Sequence, residues 1–149
     1  MSPLKYLLTS PFGSPAAIAR SNAVHVCGES WVSAAEVAEF RIESAVVGGL
    51  AANDGVVVLR APAVALRIQR DRGDLFVDVA QSGTEDWQPA WLLIHYLERS
   101  LSPSAIGQLD DLAYRDKFFE LLPRTLALLA NSEHLQAFRD FLATYRPLQ

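Results

Sequence analysis

The chain has 149 residues, half of them apolar and a fifth charged, a composition that builds a packed core and excludes intrinsic disorder. That length predicts a single domain over residues 1–149, able to bury about two thirds of its unfolded surface. A formal charge of −4 argues against a generic binder of phosphate backbones, so nucleic acid is not an expected partner. Cys27 is the only cysteine, which excludes an intrachain disulfide and a cysteine-built zinc site and fits a reducing compartment.

Residues 1–15 carry one lysine, a short apolar run at 4–8 and then Pro11 and Pro15, which reads as a loosely ordered start. They have neither the apolar block of a secretory signal nor the amphipathic pattern of a transit peptide. Apolar stretches such as 45–52 fall far short of the roughly 18 residues that a membrane span needs. A cytoplasmic protein with no membrane partner is the expectation. Residues 16–27 read two ways, as a helical turn at 16–20 or a short strand at 23–27. Ser33 followed by Glu36 has the form of a capping box and predicts a helix starting there. Val37, Phe40, Ile42, Ala45 and Val46 follow no clean helical stripe, which leaves 41–47 open between helix and strand, and Gly48-Gly49 ends whichever element precedes it.

Asn53-Asp54-Gly55 is a turn signature, and the β-branched run after it predicts a strand over 56–60 that Pro62 ends. Val64, Leu66 and Ile68 then alternate with Ala65, Arg67 and Gln69, which puts the three aliphatics on one face. Arg70-Asp71-Arg72-Gly73-Asp74 supplies a turn, and Leu75, Val77 and Val79 continue the alternation on the way back. The fold class that follows is α+β: a small antiparallel sheet, made of the central hairpin 63–80 and the strand 56–60, packed against C-terminal helices.

Thr84 or Asp86 is placed to cap a helix over 87–100, whose Pro89 is harmless in the first turn. Its apolar face is Trp87, Trp91, Ile94, Leu97 and Leu101. Ser102-Pro103 breaks it, a second stripe runs from Ile106 through Leu122, and Pro123 breaks or kinks that one. Ser132 is placed to cap a last helix bearing Leu135, Phe138, Leu142 and Tyr145 on one side.

No catalytic, cofactor-binding or metal-binding motif stands out. His25, His95 and His134 are too far apart for a local metal signature, and His25-Val26-Cys27 has no third ligand beside it. His95 falls inside the 87–100 helix, where a hydrogen-bonded packing histidine competes with a general base, and His134 is expected to face solvent. Gly28-Glu29-Ser30-Trp31 lacks the closing glycine of a nucleophile elbow, and no lysine follows Gly48-Gly49 as a phosphate loop requires. The acidic pairs Asp71/Asp74, Glu85/Asp86 and Asp110/Asp111 read as turn, helix N-terminus and solvated helix face. Asp78 lies opposite the apolar face of its strand, where Arg67 across the hairpin is its expected partner. Arg60, Arg67, Arg70 and Arg72 form a locally basic hairpin without the aromatic interleaving that single-stranded nucleic acid needs.

The segment 53–97, with its strands, the Arg70-Asp71-Arg72-Gly73 turn, Val77-Asp78-Val79, the Asp86-Trp87 loop and a helix, resembles small uncharacterised bacterial proteins grouped with the immunity proteins of toxin systems. The resemblance spans about a third of the chain and transfers no active-site residue. It implies a stand-alone, non-catalytic protein-binding module, monomeric or homodimeric, that blocks a toxin domain. Acidic residues would steer it towards a basic target, and an aromatic would anchor it. Glu85, Asp86, Trp87, Asp110 and Asp111 are the partner-binding residues expected on this reading. A secretion-chaperone-like binder is the related alternative. A small enzyme, with His95, Asp78 and Glu85 as the first residues to mutate, is the alternative from another class.

Overall fold

Residues 14–49 and 53–145 are described by the computed structural model, and the loosely ordered start expected at 1–15 lies almost wholly outside them. Among the described residues the order is α1 (Pro15–Cys27), α2 (Glu29–Val37), β1 (Arg41–Val47), β2 (Gly55–Arg60), β3 (Val64–Asp71), β4 (Asp74–Gln81), β5 (Gln88–Pro89), α3 (Ala90–Leu97), α4 (Pro103–Gly107), α5 (Asp111–Glu120), α6 (Leu122–Ala130) and α7 (Ser132–Tyr145). The class is α+β, with one five-stranded sheet whose strands follow chain order and a run of C-terminal helices. No helix among the described residues is long and apolar enough to cross a membrane. The chain groups into two compact units, Met1–Arg60 with Arg67–Phe76, and Ala61–Leu66 with Val77–Gln149.

The first unit begins with a helical corner. Ser14 accepts from Ala17 N at 3.1 Å and Pro15 occupies the first turn, so α1 has a complete N-terminus. Residues 16–27, ambiguous in sequence, are therefore helix, and His25 and Cys27 are helical neighbours rather than alternate strand residues. Gly28, at φ +92°, closes α1 and opens α2: its N–H donates to Val24 O at 2.8 Å and its carbonyl accepts from Val32 N at 3.3 Å. The capping box expected at Ser33 and Glu36 does not form. Because Gly28 turns the chain earlier, Ser33 sits inside α2 and donates to Glu29 Oε1 at 3.0 Å. Glu36 binds Arg20 of α1 instead, whose guanidinium also holds Glu29, with 2.9 Å contacts to each carboxylate.

β1 pairs antiparallel with β2, with a register shift between Ile42 and Ser44. The hairpin follows the expected alternation and turns on two residues with positive φ, Arg72 (+54°) and Gly73 (+88°), the mirror-image turn that suits strand twist. Val57, Leu59 and Ile68 are fully buried, each contributing about 1.5–3 kcal/mol. Arg70 Nε donates to Val26 O at 3.1 Å, satisfying a carbonyl in the last turn of α1 that the helix itself leaves open.

In the second unit, β5 is a two-residue pairing that sets Asp78 opposite Pro89 and Val79 opposite Gln88, with Pro89 tolerated on an edge. α3 consequently starts at Ala90, not 87, and neither Thr84 nor Asp86 caps it; Asp86 accepts from Gln88 Nε2 at 2.8 Å. The single stripe expected from Ile106 to Leu122 is two helices, because Asp110 accepts from Ala113 N at 2.8 Å and starts a new one. Pro123 lies in the first turn of α6, where it breaks the chain of helices as expected. The last helix is capped by Asn131, whose Oδ1 accepts from Glu133 N and His134 N at 3.0 Å, not by Ser132. Phe118, Leu128, Phe138 and Leu142 are buried in this unit, with Val79 and Ala80 of β4.

Candidate protein-binding face

The two faces of the sheet in the first unit can be told apart residue by residue. A Cβ at Gly55 would meet Val26 Cγ2, and Arg70 reaches Val26 O, so these positions look towards α1. By alternation Val57, Leu59 and Ile68 share that side and are buried. The other side of β2 carries Val56 and Val58, which pair with Val46 and Ser44 of β1. Gln69 of β3 and Phe76 of β4 share its parity across the two-residue turn.

A solvated face of an antiparallel sheet is ordinarily polar. Here Val46 is 64% exposed and Phe76 50%, with Val56 and Val58 half-buried beside them. Of the large apolar residues exposed among the described ones, Ile18, Val37, Val46, Val47 and Phe76 fall in the first unit, against Leu112 and Leu126 in the second. Arg60, next in the parity of Val56 and Val58, binds Glu43 at 2.9 Å, so an internally neutralised ion pair edges the valines. An apolar centre beside compensated charge is the layout of a protein-contact surface.

The acidic and aromatic residues expected to bind a partner have local structural roles. Glu85 and Asp86 are exposed, and Glu85 accepts from Trp87 Nε1 at 3.1 Å, which holds the half-buried indole against its own loop. Asp110 is a helix cap, and Asp111 stands exposed in the first turn of α5. His95 is half-buried in the aromatic group of α3 and α7, its ring 6.0 Å from those of Phe141 and Tyr145. Its Nδ1–H donates to Leu101 O at 2.9 Å, as the packing reading requires, and His134 is exposed. Asp78 is half-buried, and its charge adds to burial in raising the Tyr114 phenol well above the usual range.

Clefts open in both units. One in the second unit, about 40 Å³, is lined by Asp86, Gln88, Thr125 and Arg139 and has room for about three waters, each needing roughly 10–15 Å³. The other, an open groove of about 440 Å³ in the first unit, runs past Ala16, Ala19, Phe40 and Ile42 to Arg20, whose guanidinium is already held by two carboxylates. Neither cleft is lined by His95, Asp78 or Glu85. Among the described residues no three His, Cys, Asp or Glu side chains are grouped to hold a metal ion. Comparison of the chain with protein-family models, with curated proteins and with solved structures found no match.

Proposed function

We propose that this chain is a protein-binding module that docks its partner on the open face of the first unit, around Val46, Val56, Val58 and Phe76. The observation that carries this reading is the exposure of Val46 and Phe76 on the side of the sheet opposite the buried Val57, Leu59 and Ile68. Covering such side chains removes apolar surface from water at about 25 cal/mol per Å², so a partner with a complementary apolar patch gains most there. The net charge of −4 favours encounter with a basic partner. A toxin domain neutralised by an immunity-type protein is the partner class that fits this charge. Capture from cells that make the protein, with Val58→Lys, Phe76→Asp and the pair Asp110→Asn, Asp111→Asn compared with the parent chain, tests the site. Loss of a stoichiometric partner with the first two variants and retention with the acidic pair is expected. Loss with the acidic pair alone would move the surface to the second unit.

A further inference from the structure

Among the described residues β1 is an edge strand, and the pattern of hydrogen-bonding groups on its outer side can be read from its ladder with β2. Gly48 N donates to Asp54 O at 2.9 Å. In an antiparallel pair, bonded and non-bonded residue pairs alternate. With Val47 opposite Gly55, Val46 opposite Val56, Ala45 opposite Val57 and Ser44 opposite Val58, the bonds to β2 belong to Val46 and Ser44. The N–H and C=O groups of Ala45 and Val47 therefore point away from β2. An independent contact agrees: Asn22 Nδ2 of α1 reaches the outward Ala45 O, at 3.4 Å. Edge strands are normally blunted by charge or by bulges. β1 has both in its first half, with Arg41, Glu43 and the register shift after Ile42; at 45–47 it has neither, the long Asn22 contact leaves a second lone pair on Ala45 O, and Val46 and Val47 are 64% and 40% exposed.

We propose that β1 pairs edge to edge with β1 of a second copy of this chain, antiparallel and centred on Val46. The register is self-complementary. Ala45 of each copy lies opposite Val47 of the other, which joins the outward groups in four hydrogen bonds about a two-fold axis. The two Val46 side chains meet across the axis as a non-bonded pair, the closer of the two pair types. Ser44 falls opposite Gly48 of the second copy, so no like charges face each other in this stretch. Ile18, one turn before Asn22 on the same side of α1, is 43% exposed and adds an apolar contact between the paired helices. Of the residues proposed for the partner's face the pairing uses only Val46, so variants at Val58 and Phe76 tell the two proposals apart.

Sedimentation over a wide concentration range tests the dimer. The parent chain is expected to dimerise reversibly. Val47→Pro removes an outward N–H without touching a bond to β2, and Val46→Lys sets two cations on the axis; both are expected to stay monomeric with an unchanged circular-dichroism spectrum. Hydrogen exchange on the parent chain covers the case in which a variant misfolds: Ala45 and Val47 amides gain protection as concentration rises, whereas Ser44 and Val46 amides are protected throughout. Val58→Lys is expected to leave the dimer intact even where it abolishes capture of the face's partner. A monomer at all concentrations, a dimer that Val47→Pro leaves unchanged, or protection of Ala45 and Val47 that appears only when a foreign chain is added would overturn the pairing.

Discussion

The backbone N–H of Arg72, at the tip of the hairpin, donates to Oδ1 of Asp54 at 2.8 Å, and Asp54 is only 3% exposed. The Asp54 carbonyl meanwhile accepts from Gly48 N, so one residue fastens the hairpin turn and the end of the β1–β2 ladder. Asp54→Ala removes a buried acceptor and leaves the Arg72 N–H without this carboxylate, at a cost of about 1–3 kcal/mol. Asp54→Asn keeps an oxygen acceptor and is expected to lose less. Urea unfolding of the two variants checks the order, and equal losses would deny the role of the carboxylate oxygen.

Gly55 sits where the backbones of β1 and β2 approach under α1. A Cβ there would meet Val46 O and lie 2.6 Å from Val26 Cγ2, so Gly55→Ala must displace backbone or core. Overpacking of this kind costs about 1–3 kcal/mol. Gly107→Ala, on a helix with no atom within 4 Å of the added carbon, is the contrasting control and is expected to be neutral or stabilising. Thermal unfolding of both variants distinguishes close approach from a general intolerance of glycine replacement.

Hydrogen bonds from Arg20 hold the carboxyls of Glu29 and Glu36 below the usual range, Ser33 adding to the effect at Glu29. Groups with depressed folded pKa values stabilise above their unfolded value, about pH 4.3, and lose that contribution as pH falls through the folded values. The melting temperature of Arg20→Gln is therefore expected below that of the parent at neutral pH, with the gap closing in acid. A gap that is constant down to pH 2 would contradict the clamp.

Burial raises the Cys27 thiol to about 11, against the opposing charge of Arg70, and its Sγ lies 3.2 Å from Ala23 O. The folded protein is expected to resist a thiol reagent at pH 8 and to react promptly in denaturant. A raised folded pKa contributes stability that is full below the unfolded value, about 8.5, and lost as pH rises towards 11. Cys27→Ala should therefore flatten the alkaline limb of the stability curve. Rapid labelling of the native protein would contradict the burial.

The hairpin was legible because period-two alternation at Val64, Leu66, Ile68 and Leu75, Val77, Val79 records which side is buried, and Gly73 supplies the turn. α1 was not, since Val24 and Val26 favour strand and its start depends on Ser14 and Pro15 rather than on an apolar stripe. The false start at Ser33 arose because a capping box is a four-residue pattern, whereas the helix is set by the positive φ of Gly28. In sequence Asp110 has the look of a solvated face because apolar periodicity continues past it; only the bond from Ala113 N marks the break. The apolar face was hidden for a different reason: alternation sets Phe76 on the side of Asp78, away from Leu75, Val77 and Val79, but does not tell whether that side is covered, and Val46 lies in a stretch whose element the sequence leaves open.

Hydroxyl-radical footprinting of the captured complex bears most directly on the binding face, since it reports the exposure of individual side chains. Phe76 is expected to lose reactivity in the complex, with Trp87 and Leu112 unchanged. Protection of Trp87 with Phe76 still fully reactive would contradict the account.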